Sequence, residues 1–195
     1  MNKSVDMSAP TVLVVPGLRD HVATHWQTML LVQWPGCRGV PPMGRDDLDC
    51  ARRIEAIEHA ALAIVGPLVV VAHSAGCIMV AHWARRTRRA VRGALMATPP
   101  DFESPMPAAY PTIAQLDQSG WLPVPRTALP FRSIVALSRN DPLGRPHRVA
   151  KLAADWGSDV ADLGEVGHLN PASGYGVWPG AVDFITQLSV EPTAD

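Results

Sequence analysis

Ser74 lies in the run Ala72-His73-Ser74-Ala75-Gly76, directly after the apolar stretch Leu68 to Ala72 and before a helical pattern carrying Ile78, Val80, Ala81 and Trp83. This is a G-x-S-x-G nucleophile elbow with alanine in place of the first glycine. The chemistry demands a turn tight enough to project the Ser74 hydroxyl out of a sheet, and small residues at Ala72 and Gly76 let strand and helix approach closely. A serine in S-x-G can also be a plain helix cap, but the order strand, turn, helix favours the elbow. The amino end of the following helix faces the serine, so the Ala75 N–H becomes a donor for a developing oxyanion.

A serine hydroxyl is a weak nucleophile; it needs a base, and the base needs an orienting acid. Where this elbow occurs, the chain order is Ser, then Asp or Glu, then His. His147 and His168 are the two histidines well beyond Ser74. His147 falls in the first turn of a helix and reads as a surface residue. His168 sits in Gly164-Glu165-Val166-Gly167-His168-Leu169-Asn170, just past the last strand, where glycine permits a sharp loop. Asp141, in Ser138-Arg139-Asn140-Asp141-Pro142, follows the strand Ser133 to Leu137 and is the expected acid. Glu165 competes for that role, but three residues of chain make a side-on bond to His168 awkward. The second oxyanion donor is expected from the loop after the first strand, at the Leu18 N–H, with Gly17 letting the backbone pass close to the substrate.

The elements that must hold these residues follow from pattern. Strands are expected at Thr11 to Val15, Arg38 to Val40, Leu68 to Ala72, Gly93 to Ala97, Ser133 to Leu137 and Asp159 to Leu163. Helical spacing links Val22, Trp26, Met29 and Leu30, and further helices are expected at Asp46 to Ala63, after Ser74, at Pro146 to Trp156 and at Gly180 to Leu188. Six strands alternating with helices imply an α/β fold with a mostly parallel sheet and helices on both faces. Reactive groups in such sheets collect at the carboxyl ends of the strands. Thr98 to Pro130 breaks the rhythm, holding eight of the nineteen prolines and no long helical pattern. A connection this long is usually functional or mobile, and its Trp121 is a candidate pocket wall.

Composition sets the remaining bounds. The chain of 195 residues fits one domain, expected at 11–190 between flexible tails at 1–10 and 191–195. Apolar residues reach 47% and charged ones 18%, enough for a sizeable core and against global disorder. A net charge of −1 excludes the usual footprint of a nucleic-acid or acidic-membrane binder. Cys37, Cys50 and Cys77 form neither a disulfide framework nor a zinc pattern, and Cys77 reads as a buried small hydrophobe. The longest apolar stretch, Ala60 to Ala72, is broken by Gly66-Pro67, too soon for a membrane helix, and the first ten residues do not form a signal peptide. A cytoplasmic location is therefore expected.

The chain resembles the small α/β-hydrolases that include retinoblastoma-binding protein nine and the bacterial YdeN-like serine hydrolases. The resemblance runs over Val15-Pro16-Gly17, His25-Trp26-Gln27, the elbow with Cys77, Leu129-Pro130-Phe131, Ser138 to Pro142, Trp156-Gly157, Gly167 to Asn170, Ser173 to Gly176 and Trp178-Pro179. It implies a compact α/β-hydrolase domain without a large cap, cytoplasmic activity on esters or related acyl compounds, and Ser74, Asp141 and His168 as nucleophile, acid and base. The first loop departs from the family's glycine- and serine-rich pattern: it reads Leu18-Arg19-Asp20-His21 and is bulkier.

The expected function is a serine esterase acting on a small-molecule acyl substrate, with Gly17, His73 and Trp121 near that substrate. No cofactor and no metal enters the mechanism. His21 and His25, four apart on an expected helix face, lack the acidic third ligand of a metal site; His25-Trp26 reads as packing near the first loop. Arg85, Arg86, Arg88, Arg89 and Arg92 read as a solvated helix end. The rivals are a protein-interaction module on a hydrolase scaffold and an amide or peptide hydrolase. Nothing in the pattern fixes an oligomeric state.

Overall fold

Continuous β-branched and small apolar runs build the inner strands of a sheet, which water does not reach on either face. The computed structural model describes residues 9–190, so the expected tails lie outside it except for Ala9 and Pro10. Its strands are β1 (Thr11–Val15), β2 (Cys37–Gly39), β3 (Leu68–His73), β4 (Gly93–Ala97), β5 (Ser133–Leu137) and β6 (Asp159–Asp162). They form one sheet in the order β2-β1-β3-β4-β5-β6, and each neighbouring pair is parallel. The helices are α1 (Trp26–Gln33), α2 (Cys50–Leu62), α3 (Ala75–Ala84), α4 (Ile113–Gln118), α5 (Pro146–Trp156) and α6 (Gly180–Ser189).

Alternate residues of the inner strands feed two separate cores. Leu13, Val15, Val70, Ala72, Met96 and Val135 pack with Ile54 and Ile57 of α2, Ile78 of α3 and Leu152 and Trp156 of α5. Val12, Val14, Val69, Val71, Leu95 and Ile134 face the other way, onto Trp26 and Leu30 of α1 and Ile185 and Leu188 of α6. Strand order reverses at β1, with β2 on one side and β3 on the other. The loops leaving β1 and β3 therefore part at the sheet's carboxyl edge and open a crevice there.

Several boundaries differ from the sequence pattern. α1 starts at Trp26, since His25 is its N-cap and accepts a hydrogen bond from the Gln27 N–H on Nδ1; His21 and Val22 precede it, so His21 and His25 share no helix face. α2 starts at Cys50, not Asp46, because Asp49 caps it through the Arg52 N–H. Within 98–130 a short helix, α4, is closed by a capping box in which Thr112 and Gln115 satisfy each other's backbone. That segment is fastened by charges: Arg148 of α5 binds Asp101 and Glu103, and Arg126 binds Glu103 and Asp155. The indoles of Trp121 and Trp156 add bonds to the Leu48 and Pro125 carbonyls. In the arginine cluster, Arg85, Arg86 and Arg88 are exposed. Arg89 instead binds the Ala61, Ile64 and Gly66 carbonyls at the end of α2.

Candidate active site

Ser74 terminates β3 in a conformation that L residues rarely adopt, with φ of 56° and ψ of −131°. The strain is tolerated because the surroundings leave the chain no other path. The Ser74 N–H donates to the Ala97 carbonyl at 3.0 Å, tying the turn to β4. Helix α3 then starts so close to β1 that a β-carbon on Gly76 would stand 2.5 Å from the Val15 carbonyl oxygen and 2.8 Å from that of Pro16. Only glycine fits there.

His168 reaches the serine from the loop after β6. Its Nε2 lies 2.8 Å from Ser74 Oγ, and its Nδ1 lies 3.0 and 2.9 Å from the two carboxylate oxygens of Asp141. Asp141 and His168 are 8% and 4% exposed, so the pair works away from bulk water. The Leu143 N–H donates to Asp141 Oδ1 at 2.8 Å, which fixes the carboxylate beside the imidazole. Of the alternatives weighed from sequence, Glu165 and His147 are both exposed and take no part in this chain of bonds.

The loop that carries His168 is fixed at successive backbone positions. The Gly167 N–H donates to Asn140 Oδ1, the His168 N–H to Ser173 Oγ, and the Trp26 indole to the Leu169 carbonyl. Gly167 has φ of 58°, and a β-carbon there would meet that of Ser173 at 2.7 Å, so glycine is required. His73 donates from Nε2 to the His168 carbonyl at 2.9 Å. Burial pushes the His73 imidazole well below its ordinary range, with His168 and His25 adding to the effect. His73 is thus a neutral strut behind the base.

The loop after β1 passes over the serine: a β-carbon on Gly17 would stand 3.1 Å from Ser74 Cβ. The Asp20 N–H closes a turn onto the Gly17 carbonyl at 3.1 Å. Asp20, at φ of 54°, then accepts the Gly44 N–H at 2.6 Å and lies 3.6 Å from the buried Arg53 guanidinium. Leu18 follows Gly17 inside this locked turn, while Ala75 opens α3 and has an N–H with no intrahelical acceptor. Both border the same cavity as Ser74 and His168.

That cavity has a volume of about 160 Å³ and is walled on its apolar side by Leu18, Phe102, Met106, Tyr110 and Leu143. Trp121 is not among its walls. It is fully buried behind Phe102, ring centroids 5.4 Å apart, and its indole is spent on Leu48. The bulky indole fills the core under the 98–130 segment, and the smaller Phe102 takes the wall position instead. Gly17 and His73 do line the cavity. A wider open depression of about 900 Å³ between α2, α3 and the end of α4 touches none of these groups.

Two residues had no assigned role from sequence beyond packing. Gln27 donates from its side-chain amide to the Val15 and Val71 carbonyls, at 3.1 and 3.0 Å, and so bridges β1 and β3 where they part. His25 packs its ring at a tilt against that of His73, centroids 4.5 Å apart, and also lines the cavity. The signal for both was the run His25-Trp26-Gln27 itself. Among the described residues, no group of three or more His, Cys, Asp or Glu side chains is placed to hold a metal ion, and no helix is long and apolar enough to cross a membrane.

The arrangement can move a proton from the Ser74 hydroxyl to a buried imidazole at the wall of the cavity. Residues 12–187 match the family model described as Serine hydrolase. The fold is shared with a protein described as a YdeN-like hydrolase from Pectobacterium atrosepticum, at 24% identity and a TM-score of 0.78, covering 93% of this chain and 91% of that one. The YdeN protein of Bacillus subtilis is similar at 17% identity and a TM-score of 0.66, over 92% and 98% of the two chains. A carboxylesterase from Bacillus cereus shares 14% identity with a TM-score of 0.57, over 96% and 92%. No protein of curated function matches the sequence.

Proposed function

The chain belongs to the serine hydrolase family, and from that premise we propose that it cleaves short carboxylic esters through Ser74, with His168 as base and Asp141 as the acid that orients it. The observation that carries this reading is the unbroken relay from Asp141 through both nitrogens of His168 to the Ser74 hydroxyl, every link at 3.0 Å or less. The Ser74 O–H donates to His168 Nε2 in the resting state. As Oγ attacks the acyl carbon, that proton passes to Nε2, and the imidazolium is stabilised by the Asp141 carboxylate against Nδ1. The carbonyl oxygen takes up the negative charge and is held by the Leu18 and Ala75 N–H groups. His168 then gives its proton to the departing alkoxide oxygen, leaving an acyl group on Ser74. Water enters by the same route in reverse: His168 takes its proton, the oxyanion re-forms, and Oγ leaves with the proton returned.

Cavity size supports a short substrate. A space of about 160 Å³ walled by Leu18, Phe102, Met106, Tyr110 and Leu143 suits a short apolar acyl group. Esters differing only in acyl length test this: activity is expected on acetyl and butyryl esters and is expected to fall steeply by octanoyl. Ser74→Ala is expected to lose roughly a thousandfold or more in kcat on the same esters. Undiminished turnover in that variant overturns the assignment.

A further inference from the structure

A second depression, of about 440 Å³, adjoins the cavity beside Ser74: Leu18, Arg19 and Tyr110 border both. The inner space has the apolar wall described above. The outer one is bordered by two cations, Arg19 and Arg45, and by a single carboxylate, Asp46. Arg19 is fixed at the junction, since its guanidinium carbon stands over the Tyr110 ring, 5.4 Å from the centroid. That cation–π contact holds the head group in place without consuming its N–H donors. Among the described residues, neither Arg19 nor Arg45 has an ion pair or a side-chain hydrogen bond. Nearby arginines are matched, Arg52 to Asp47 and Arg53 to Asp20. Asp20, next to Arg19 in the chain, is thus committed to Arg53 and to the Gly44 N–H. The outer depression is left with an excess of positive charge and unspent donors.

We propose that Arg19, assisted by Arg45, binds a carboxylate on the alcohol part of the substrate, so that the protein prefers esters whose leaving group is a hydroxy acid. The proposal rests on Ser74 being the nucleophile. The scissile carbonyl belongs where the Leu18 N–H can hold its oxygen, and Leu18 is a boundary of both spaces. An ester spanning them therefore has its acyl group on one side and its alcohol on the other. Charge decides which end goes where. A carboxylate pressed against Phe102, Met106 and Leu143 would lose its hydration without a partner, whereas a guanidinium meets it with paired N–H donors. Both arginines are exposed, so the attraction is moderate and screened by salt.

The test compares 4-acetoxybutanoate, 5-acetoxypentanoate and 6-acetoxyhexanoate with their primary amides, which keep the shape and lose the charge. Water cleaves each to acetate and the hydroxy acid or hydroxy amide, and acetate release is followed. The rate ratio of each pair under hydroxide alone, at the same salt, supplies the reference for intrinsic reactivity. In the wild type at low salt, the carboxylate of at least one pair is expected to exceed that reference by roughly tenfold in kcat/KM, mostly through KM. The excess is expected to shrink as sodium chloride is raised to about 0.5 M. Combining Arg19→Gln with Arg45→Gln is expected to return the ratio to the reference. The ratio cancels any general loss of activity in the variant, and the wild-type comparison stands even if the variant does not fold. Ser74-dependent turnover with hydroxide-like ratios in every pair overturns the Arg19 assignment alone. So does an excess indifferent to salt, or a wild-type ratio kept in the folded double variant. Absence of Ser74-dependent turnover of all these esters overturns the ester reading and this proposal together.

Discussion

The backbone at Gly17 runs so close to the elbow that a β-carbon there would lie 3.1 Å from Ser74 Cβ and 3.4 Å from Ser74 Oγ. The loop proposed to supply one oxyanion donor is thus held at the serine by the absence of a side chain. Gly17→Ala forces the two backbones apart by a few tenths of an ångström. Displacements of about 1 Å in such sites cost on the order of a hundredfold. We expect kcat to fall about tenfold on a good short ester, with the melting temperature little changed. Equal kcat in variant and wild type would show that the Leu18 amide does not serve the reaction.

Arg53 makes a second prediction about the same loop. Its guanidinium, 3% exposed, donates to the Gly44 and Asp47 carbonyls and faces Asp20, the residue that closes the Gly17 turn. Arg53→Met keeps the volume but removes the donor from its bonds to the Gly44 and Asp47 carbonyls and the cation facing Asp20, at about 0.5–1.5 kcal/mol for each hydrogen bond. The melting temperature is expected to drop by roughly 5–10 °C for a chain of this size. kcat is expected to fall as well, because the 17–20 turn loses its anchor. A loss of stability with an unchanged kcat in the folded fraction would separate Arg53 from the site.

How much of this was legible in the sequence depended on where the determining forces act. The strands could be read because a sheet buried on both faces writes itself as runs such as Val69-Val70-Val71. Ser74 could be picked out because it directly follows such a run, and Asp141 and His168 because each lies in the loop after a later strand; the structure brings the three side chains together. The start of α1 could not, since His25 is outside the usual capping residues and Val22 continued the helical spacing by coincidence. The path of 98–130 was opaque for a different reason. It is set by distant partners, Arg148 on Asp101 and the Trp156 indole on Pro125, which no local pattern encodes. Trp121 accordingly lies in the core under this segment, and Phe102 takes the wall position expected for Trp121.

Acid stability follows from the buried imidazoles. Burial, then His168 and His21, lower His25 from an ordinary 6.5 to about 4, and His73 moves in the same direction. Below pH 6.5 the unfolded chain therefore binds protons that the folded one refuses, so stability rises with pH. The contribution is complete above 6.5 and is lost progressively as the pH falls towards 4. Each such histidine contributes a slope of up to about 1 kcal/mol per pH unit within that window. Denaturant melts across it are expected to show a shallower acid loss for His25→Asn than for the wild type. Parallel curves would mean that His25 is protonated in the folded protein.

Asp141→Asn isolates the role of the carboxylate. The amide keeps the shape but cannot stabilise the imidazolium, and it favours the wrong imidazole tautomer. A loss of roughly 10³–10⁴-fold in kcat is expected, with the circular dichroism spectrum unchanged. Glu165→Gln, by contrast, alters an exposed side chain outside the relay and is expected to leave kcat within a factor of about two, as is usual for surface changes. A reversal of these two effects would move the acid to position 165.

The most direct measurement is mass spectrometry of the protein after brief exposure to a fluorophosphonate, with peptide mapping of the adduct. Attack by an activated hydroxyl expels fluoride and leaves a phosphonyl ester on that oxygen. Stoichiometric modification confined to Ser74, abolished in Ser74→Ala and strongly slowed in His168→Ala, is the expected result. An intact, folded protein that remains unmodified at Ser74, or is labelled equally fast without His168, would contradict the proposal that this serine is an activated nucleophile.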